Sequence, residues 1–330
     1  MSKLDMTETR MPQDGRFKIS FEGKEIDFRV SVLPITFGGK IVLRILDRSS
    51  LSIGLDKLGF LPHPLETFKT ALKRPYGMIL VTGPTGSGKS TTLYSIINQI
   101  NKPERNIITL EDPVEYELDG ITQIQMKSEI GLSFASGLRS VLRQTPDVIM
   151  VGEIRDFETA DIAIKASLTG QLILSTLHTN DAAGALTRLV DMGVEPFLVG
   201  SSLIMTSAQR LMRKICPSCK AEAEIPQSVL DRVGISKQEL DKRGARARVF
   251  YKGSGCPKCN STGYYGRIAI LEALLIDDHI RDMVMRKASS DEMKEYGIKQ
   301  GMMTLRDNAV ENFIMGITTL EEVIRVTTED

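Results

Sequence analysis

Residues 81–93, VTGPTGSGKSTTL, carry the first chemically telling spacing in this chain, with Gly83, Gly88, Lys89 and Ser90 in the order G-x-x-x-x-G-K-S. Across Gly83-Pro84-Thr85-Gly86-Ser87-Gly88-Lys89-Ser90-Thr91 the glycines let successive backbone N–H groups turn inward around phosphate oxygens. In such a loop the lysine reaches the β- and γ-phosphates of a nucleoside triphosphate, and the Ser90 hydroxyl ligates Mg²⁺. The flanks agree. GMILVTG before the loop is a short apolar run that suits a buried strand, and KSTTLYSIINQIN after it places Leu93, Ile96, Ile97 and Ile100 on one helical face.

A phosphate-binding loop needs a carboxylate on a neighbouring strand to hold metal or activate water. DVIMVGE supplies the apolar run but ends in Gly152-Glu153, so the glycine stands where an acid is usual. Glu153 can take a proton from water, and the metal-supporting carboxylate must come from elsewhere. ITLEDPVEYE offers Glu111, Asp112 and Glu115 past another strand end, and LILSTLHTNDA puts His178 beyond a fourth. A neutral imidazole at that place is fit to contact a γ-phosphate. His63 and His279 have no such placement and read as structural.

All four cysteines fall into two C-x-x-C knuckles, Cys216/Cys219 and Cys256/Cys259, 36 residues apart. Four thiolates so spaced are the pattern of a tetrahedral Zn²⁺ site.

These residues need a scaffold. At 330 residues, 42% hydrophobic and 25% charged, the chain suits a globular protein of about two domains. Formal net charge is zero, which gives no global field toward nucleic acid or membrane. No apolar run approaches the roughly 18 residues of a membrane helix, and the first residues have no apolar core for a signal peptide. The reading is a cytoplasmic location. Residues 16–46 alternate with period two, predicting a three-strand antiparallel meander. MSKLDMTETRM before it reads as the tail of a helix. From residue 77, strands near 77–82, 106–110, 147–151 and 171–176 alternate with helices near 88–101, 133–144, 156–169 and 181–192. That is an α/β layer with a mainly parallel sheet, which binds ligands at the C-terminal ends of its strands. The expected division is 1–47 for the meander, 48–60 for a linker, 61–204 for the P-loop core, 205–268 for a basic zinc-bearing segment and 269–330 for helices. Thr319-Leu-Glu-Glu322 reads as a capping box opening the last helix.

Four boxes in order, GPTGSGKST, TLEDPVEY, DVIMVGEIRD and STLHTNDA, with PQDGR before them and two C-x-x-C pairs behind, resemble the secretion ATPase superfamily, in particular the type II secretion and type IV pilus assembly ATPases. The resemblance covers essentially the whole chain. It implies a hexameric cytoplasmic motor peripheral to the inner membrane, in which a PAS-like N-terminal domain, here partial, precedes a RecA-like core. ATP with Mg²⁺ would drive an inner-membrane platform protein and cytoplasmic-face secretion or pilus components, adding pilin subunits. By the same resemblance Glu115 and Glu153 match the Asp-box and Walker B acids, and His178 the His box. Arg16 and Arg29 match arginines that reach nucleotide from the mobile N-terminal domain. Arg29 lies on the polar face of its strand, whereas Arg44 shares a face with Val42 and Leu46 and a structural role is as reasonable. Retraction ATPases of the superfamily lack the four-cysteine insertion, so its presence favours assembly or secretion. The rival reading is a zinc-containing, nucleic-acid-translocating P-loop ATPase, which would use the basic surplus around the knuckles; no aromatic ladder interleaves that charge.

Overall fold

A computed structural model describes residues 4–21, 24–46, 54–243 and 249–327. The chain divides into two units, Met1–Ile53 and Gly54–Asp330.

In the first unit β1 (Gln13–Phe21), β2 (Lys24–Ile35) and β3 (Gly38–Leu46) form the antiparallel meander that the alternation predicts. The register pairs Arg16 with Arg29 and Arg29 with Arg44, so the three arginines form one row across a single face. Arg44 therefore stands with the other two rather than apart from them. Phe17 and Phe28 pair on the opposite face, their rings stacked at 4.9 Å between centroids. The helix tail expected ahead of β1 is absent over residues 4–11, which form turns. There the Asp5 carboxylate accepts from the N–H and the hydroxyl of Thr7, at 2.8 and 2.6 Å, and Gln13 donates to the carbonyls of Asp5 and Glu8. Side chains that bond nearby backbone in this way compete with helix. Of the expected linker, the part up to residue 53 lies outside the described residues; beyond it Leu55 and Phe60 are buried.

The second unit begins with α1 (Pro62–Ala71) and is built on a seven-stranded sheet. Its strands are β4 (Gly77–Thr82), β5 (Ile107–Glu111), β6 (Thr122–Gln125), β7 (Val148–Val151), β8 (Leu172–Leu177), β9 (Leu203–Ile215) and β12 (Tyr264–Leu275). They lie in the order β12-β9-β4-β8-β7-β5-β6. All pairs are parallel except β12 with β9. Strands β4, β5, β7 and β8 are buried along their whole length, as parallel strands covered on both faces should be. Helices α2 (Lys89–Ile100), α3 (Phe134–Val141), α4 (Phe157–Leu168), α5 (Gly184–Asp191) and α6 (Pro196–Ser202) complete the α/β alternation. Leu93, Ile96, Ile97 and Ile100 of α2 are buried as the spacing requires.

The segment 205–268 is organised differently from the expectation. Its first and last stretches are strands of the central sheet, and β12 runs on to Leu275, so residues 269–275 are strand rather than helix. Between them the chain makes β10 (Lys220–Ala223), α7 (Gln227–Arg232), α8 (Lys237–Arg243) and β11 (Phe250–Gly253), with β10 and β11 paired antiparallel. Then come α9 (Asp278–Met285), α10 (Ser290–Lys299), α11 (Leu305–Ile314) and α12 (Leu320–Thr327). At α12 only half of the capping box forms. The Thr319 hydroxyl accepts the Glu322 N–H at 3.3 Å, but the Glu322 carboxylate is taken by the guanidinium groups of Arg213 and Arg325 and by the Arg213 N–H. Among the described residues, no helix is long and apolar enough to cross a membrane.

Candidate active site and four-thiol cluster

Because β4, β8, β7 and β5 are adjacent and parallel, the loops at their C-terminal ends emerge side by side. These are the glycine-rich loop, the His178 loop, Gly152-Glu153 and the acidic loop of residues 112–117. Four segments separated by up to about a hundred residues are thus gathered at the edge where an α/β sheet holds its ligand.

The glycine-rich loop is tightly moulded. Gly83 has φ 137°, and a Cβ there would lie 2.4 Å from the Gln209 carbonyl oxygen, which no side chain tolerates. Lys89 Nζ donates to the carbonyls of Gly83 and Pro84 at 2.7 and 3.1 Å, curling the ammonium over the loop. Burial lowers the Lys89 pKa, while the negative charge of Glu153 acts to raise it. Ser87 Oγ is buried with no hydrogen-bond partner among the described residues, a polar atom turned into the loop, and the Ser90 hydroxyl is on an exposed residue at the helix start. Backbone donors at a helix N-terminus, an ammonium and an exposed hydroxyl are the groups that a triphosphate with Mg²⁺ requires.

Glu153 joins this group from β7. Its carboxylate pairs with the Arg155 guanidinium, and its Oε2 lies 3.4 Å from His178 Nε2. Gly152 is explained by its surroundings. Its N–H donates to the Leu110 carbonyl at 2.8 Å, and a Cβ would approach that oxygen to 3.2 Å, so an acid at 152 would press on β5. Thr176 Oγ1 donates to the Gly152 carbonyl at 2.7 Å, and the Ile154 N–H donates to the Thr176 carbonyl at 3.0 Å, which clamps both sides of Glu153 to β8.

The three acids after β5 separate in role. Glu111 is buried, and its carboxylate accepts from the Tyr94 phenol, Thr109 Oγ1 at 2.6 Å and Gln123 Nε2 at 3.0 Å. That carboxylate is saturated and structural. Asp112 is exposed, with its charge acting on Arg155. Glu115 is half-buried, and its N–H donates to the Tyr94 oxygen at 3.1 Å. Tyr94 lies on α2, so one phenol links the helix of the glycine-rich loop to the loop that carries Glu115. Burial and the neighbouring Glu111 raise the Tyr94 pKa, which keeps the phenol a neutral donor.

Three supporting residues escape the sequence reading. Gln209, on β9, donates from Nε2 to the Ser87 carbonyl at 2.9 Å and accepts from Thr92 Oγ1 at 2.7 Å. It holds the loop and its helix from a strand more than a hundred residues later; its only sequence signal is a polar pair, Gln209-Arg210, inside an apolar run. Tyr94 lies just past the first box and Arg155 inside the third, DVIMVGEIRD, and neither carries a signal of its own beyond that placement.

The four cysteines converge. Sγ separations are 3.8 Å for Cys216–Cys256, 3.9 Å for Cys219–Cys259 and 3.6 Å for Cys256–Cys259, and all four sulfurs lie within 4.8 Å of one another. Zn–S bonds of about 2.3 Å in a tetrahedron put sulfurs about 3.8 Å apart, so the donor set fits Zn²⁺. N–H groups of Cys256 and Gly263 point at Cys259 Sγ at 3.2 and 3.3 Å. Burial raises the Cys259 pKa, but these donors, together with the neighbouring thiols of Cys256 and Cys219, outweigh burial and lower the pKa, toward the thiolate a metal takes. Cys216 directly follows β9 and four residues separate the second knuckle from β12, so a metal there would pin the two strands at one end. Of the aromatic rings beside the cluster, Tyr264, Tyr251 and Tyr265 are covered by Arg213, Lys220 and Lys258, at 4.1, 4.1 and 5.1 Å.

The family described as Type II/IV secretion system protein matches residues 1–325. The chain belongs to this family. This chain aligns over its entire length with curated relatives. It is 52% identical to the type IV pilus assembly ATPase PilB of Myxococcus xanthus and 48% identical to the type II secretion system ATPase E of Vibrio cholerae. It spans 58% and 64% of the length of those two relatives. Among solved structures, the pilus retraction motor PilT with bound ADP superposes with TM-score 0.67 at 28% identity, over 96% of this chain and 78% of that one. DotB of Yersinia pseudotuberculosis reaches TM-score 0.70 at 22% identity, over 97% and 76%, a likeness of fold alone.

Proposed function

We propose that this secretion-family chain is the catalytic part of a motor that hydrolyses ATP to drive type II secretion or type IV pilus assembly. The observation that carries the reading is the meeting of Lys89, Glu153, Arg155 and His178 at adjacent ends of parallel strands. Residues 83–91 bind the triphosphate, Lys89 exchanging its two carbonyl partners for phosphate oxygens. Mg²⁺, when bound, neutralises the phosphate charge, and Ser90 and Glu115 are the residues to hold it. Glu153 takes a proton from the attacking water, whose oxygen bonds to the γ-phosphorus as the bond to the ADP oxygen breaks. Arg155 orients the Glu153 carboxylate, and His178 sits against its second oxygen, placed to meet the γ-phosphate. Removing such a base costs about 10²–10⁴ in rate.

The names of the relatives support an assembly or secretion role. On this reading the protein works as a homo-hexamer on the cytoplasmic face of the inner membrane, against a membrane platform protein. Arg16 and Arg29 supply positive charge to the γ-phosphate during turnover, and their register with Arg44 adds a third arginine to the same row. Zn²⁺ on Cys216, Cys219, Cys256 and Cys259 is structural. The nucleic-acid-translocating alternative is not favoured, because the family is a secretion family and the tyrosines beside the knuckles are already covered by cations.

Phosphate release from Mg²⁺·ATP by the purified protein tests the proposal. Turnover that disappears in Lys89→Ala supports it; absence of turnover by the full-length hexamer refutes it.

A further inference from the structure

A second cluster of charge lies behind the His178 loop. The loop runs from the end of β8 to α5. Its carboxylate Asp181 accepts the Gly184 N–H at 2.6 Å, and the Asp181 carbonyl accepts the hydroxyls of Thr179, at 3.0 Å, and Thr82, at 3.5 Å. Thr82 is the last residue of β4, directly before Gly83. The next N–H, that of Ala182, donates at 2.9 Å to Oε1 of Glu272, a fully buried carboxylate on β12. Glu272 Oε2 has no hydrogen-bond partner among the described residues. Its nearest cation is Lys294 of α10, at 4.0 Å, and the same ammonium lies 3.7 Å from Asp181 Oδ2.

A buried carboxylate is tolerated when it is paired and hydrogen-bonded. Burial raises the Glu272 pKa, and the Asp181 charge adds to that, while the Ala182 N–H, the Lys294 charge and the backbone N–H of Leu305 act the other way. Lys294 is thus the compensating charge for two carboxylates, one on the sheet edge and one in the loop. The arrangement costs more than an apolar contact of the same size and is not needed to fill space, since α10 already buries Met293 and Gly297. What it does is tie one short loop to β4, to β12 and to a C-terminal helix at once.

We infer that Glu272 and Lys294 are positioning residues that hold the His178 loop in register with Glu153, so that α10 reports on, and sets, the placement of the imidazole. This rests on the reading of His178 as a phosphate-facing group. Neither residue touches nucleotide; each acts through Asp181 and Ala182.

The test is a double-mutant cycle in the full-length protein, with hydrogen exchange of the peptide spanning residues 178–184 as a second readout. Lys294→Met should lower kcat about tenfold, the middle of the range for coupled neighbours, with the KM for ATP within about twofold, and should speed exchange at 178–184. Glu272→Gln with Lys294→Met removes both charges, leaves an acceptor for the Ala182 N–H and should recover most of the rate; it also serves as the test variant if Lys294→Met alone does not fold. Placed on His178→Ala, the Lys294 change should cost less than about twofold more, since the imidazole it positions is gone. A Lys294 effect that multiplies in full onto His178→Ala, or exchange at 178–184 equal to wild type, overturns the inference. A His178→Ala rate equal to wild type overturns the reading of His178 itself, while the exchange measurement still decides whether Lys294 holds the loop.

Discussion

Replacing Gln209 by leucine removes two hydrogen bonds from a residue that is 1% exposed, at nearly constant volume. The Ser87 carbonyl loses a donor at 2.9 Å and the Thr92 hydroxyl an acceptor at 2.7 Å. Each buried polar group left without a partner costs about 1–3 kcal/mol. Thr92 can turn its hydroxyl to the carbonyl of Gly88, four residues back at the cap of α2, a common recourse in helices, so the total should fall near 2–4 kcal/mol, about what two such groups cost after that relief. In a unit of this size 1 kcal/mol moves the melting temperature by about 2–4 °C, which predicts a drop of roughly 4–16 °C. The loop also loses the contact that fixes its centre. If about 1.4 kcal/mol of the loss falls on the phosphate-bound geometry, ATP affinity weakens about tenfold. Differential scanning fluorimetry with an ATP titration measures both. A companion variant, Gln209→Leu with Thr92→Val, leaves only the Ser87 carbonyl unpartnered and should regain about 1 kcal/mol. A melting temperature within 1 °C (about 0.3 kcal/mol) of wild type, with unchanged ATP affinity, would refute the reasoning that β9 holds the loop.

Elemental analysis should find one Zn²⁺ per chain, and stripping it with a chelator should lower the melting temperature, since site formation in small zinc domains is worth about 10–16 kcal/mol of folding; a folded protein with four free thiols and less than a tenth of an equivalent of zinc would contradict the assignment. At Glu322, burial raises the pKa but the guanidinium groups of Arg325 and Arg213 outweigh it and hold it at about 2. Its folded pKa is below its unfolded one, so this stability is present above about pH 4.5 and lost as pH falls toward 2. With both guanidiniums half exposed, the loss should be about 1–3 kcal/mol, and acid unfolding of Glu322→Gln that matches wild type through this window would rule the pair out. Arg16→Ala and Arg29→Ala should lower turnover far more than ATP affinity, because arginines aimed at a γ-phosphate act on the transition state and are worth about 10³–10⁵ where measured; equal loss of both in a steady-state and binding comparison would argue against that role.

The β-α alternation from residue 77 onward was legible because each strand is short, apolar and bounded by turn residues, and each helix shows a one-sided apolar face. The loop chemistry was legible for the same reason: the glycine-rich loop that ends in Lys89, Glu153 and His178 each come just past the end of such a strand. Strand order is not written in local pattern. Nothing in LIMTSAQRLMRKI announces that β9 pairs with β4, and with two cysteines close behind, the run reads as part of the zinc segment. Gln209, Glu272 and Lys294 were illegible because their partners lie about 90 to 120 residues away, and a single polar residue in a strand or helix looks the same whether it faces water or a buried carbonyl. The helix expected before β1 failed for a local reason, since Asp5 and Gln13 offer the backbone a turn network that a periodicity count ignores.

In the proposed reaction Glu153, held by Arg155 beside His178, activates water for attack on a triphosphate bound at Lys89. Single-turnover phosphate release by Glu153→Gln, with ATP affinity measured on the same sample, tests it most directly. ATP affinity should stay within about threefold of wild type, a change under 1 kcal/mol, with release slowed about 10²–10⁴-fold. Release within about threefold of wild type at saturating ATP, less than the loss of a general base allows, would contradict it.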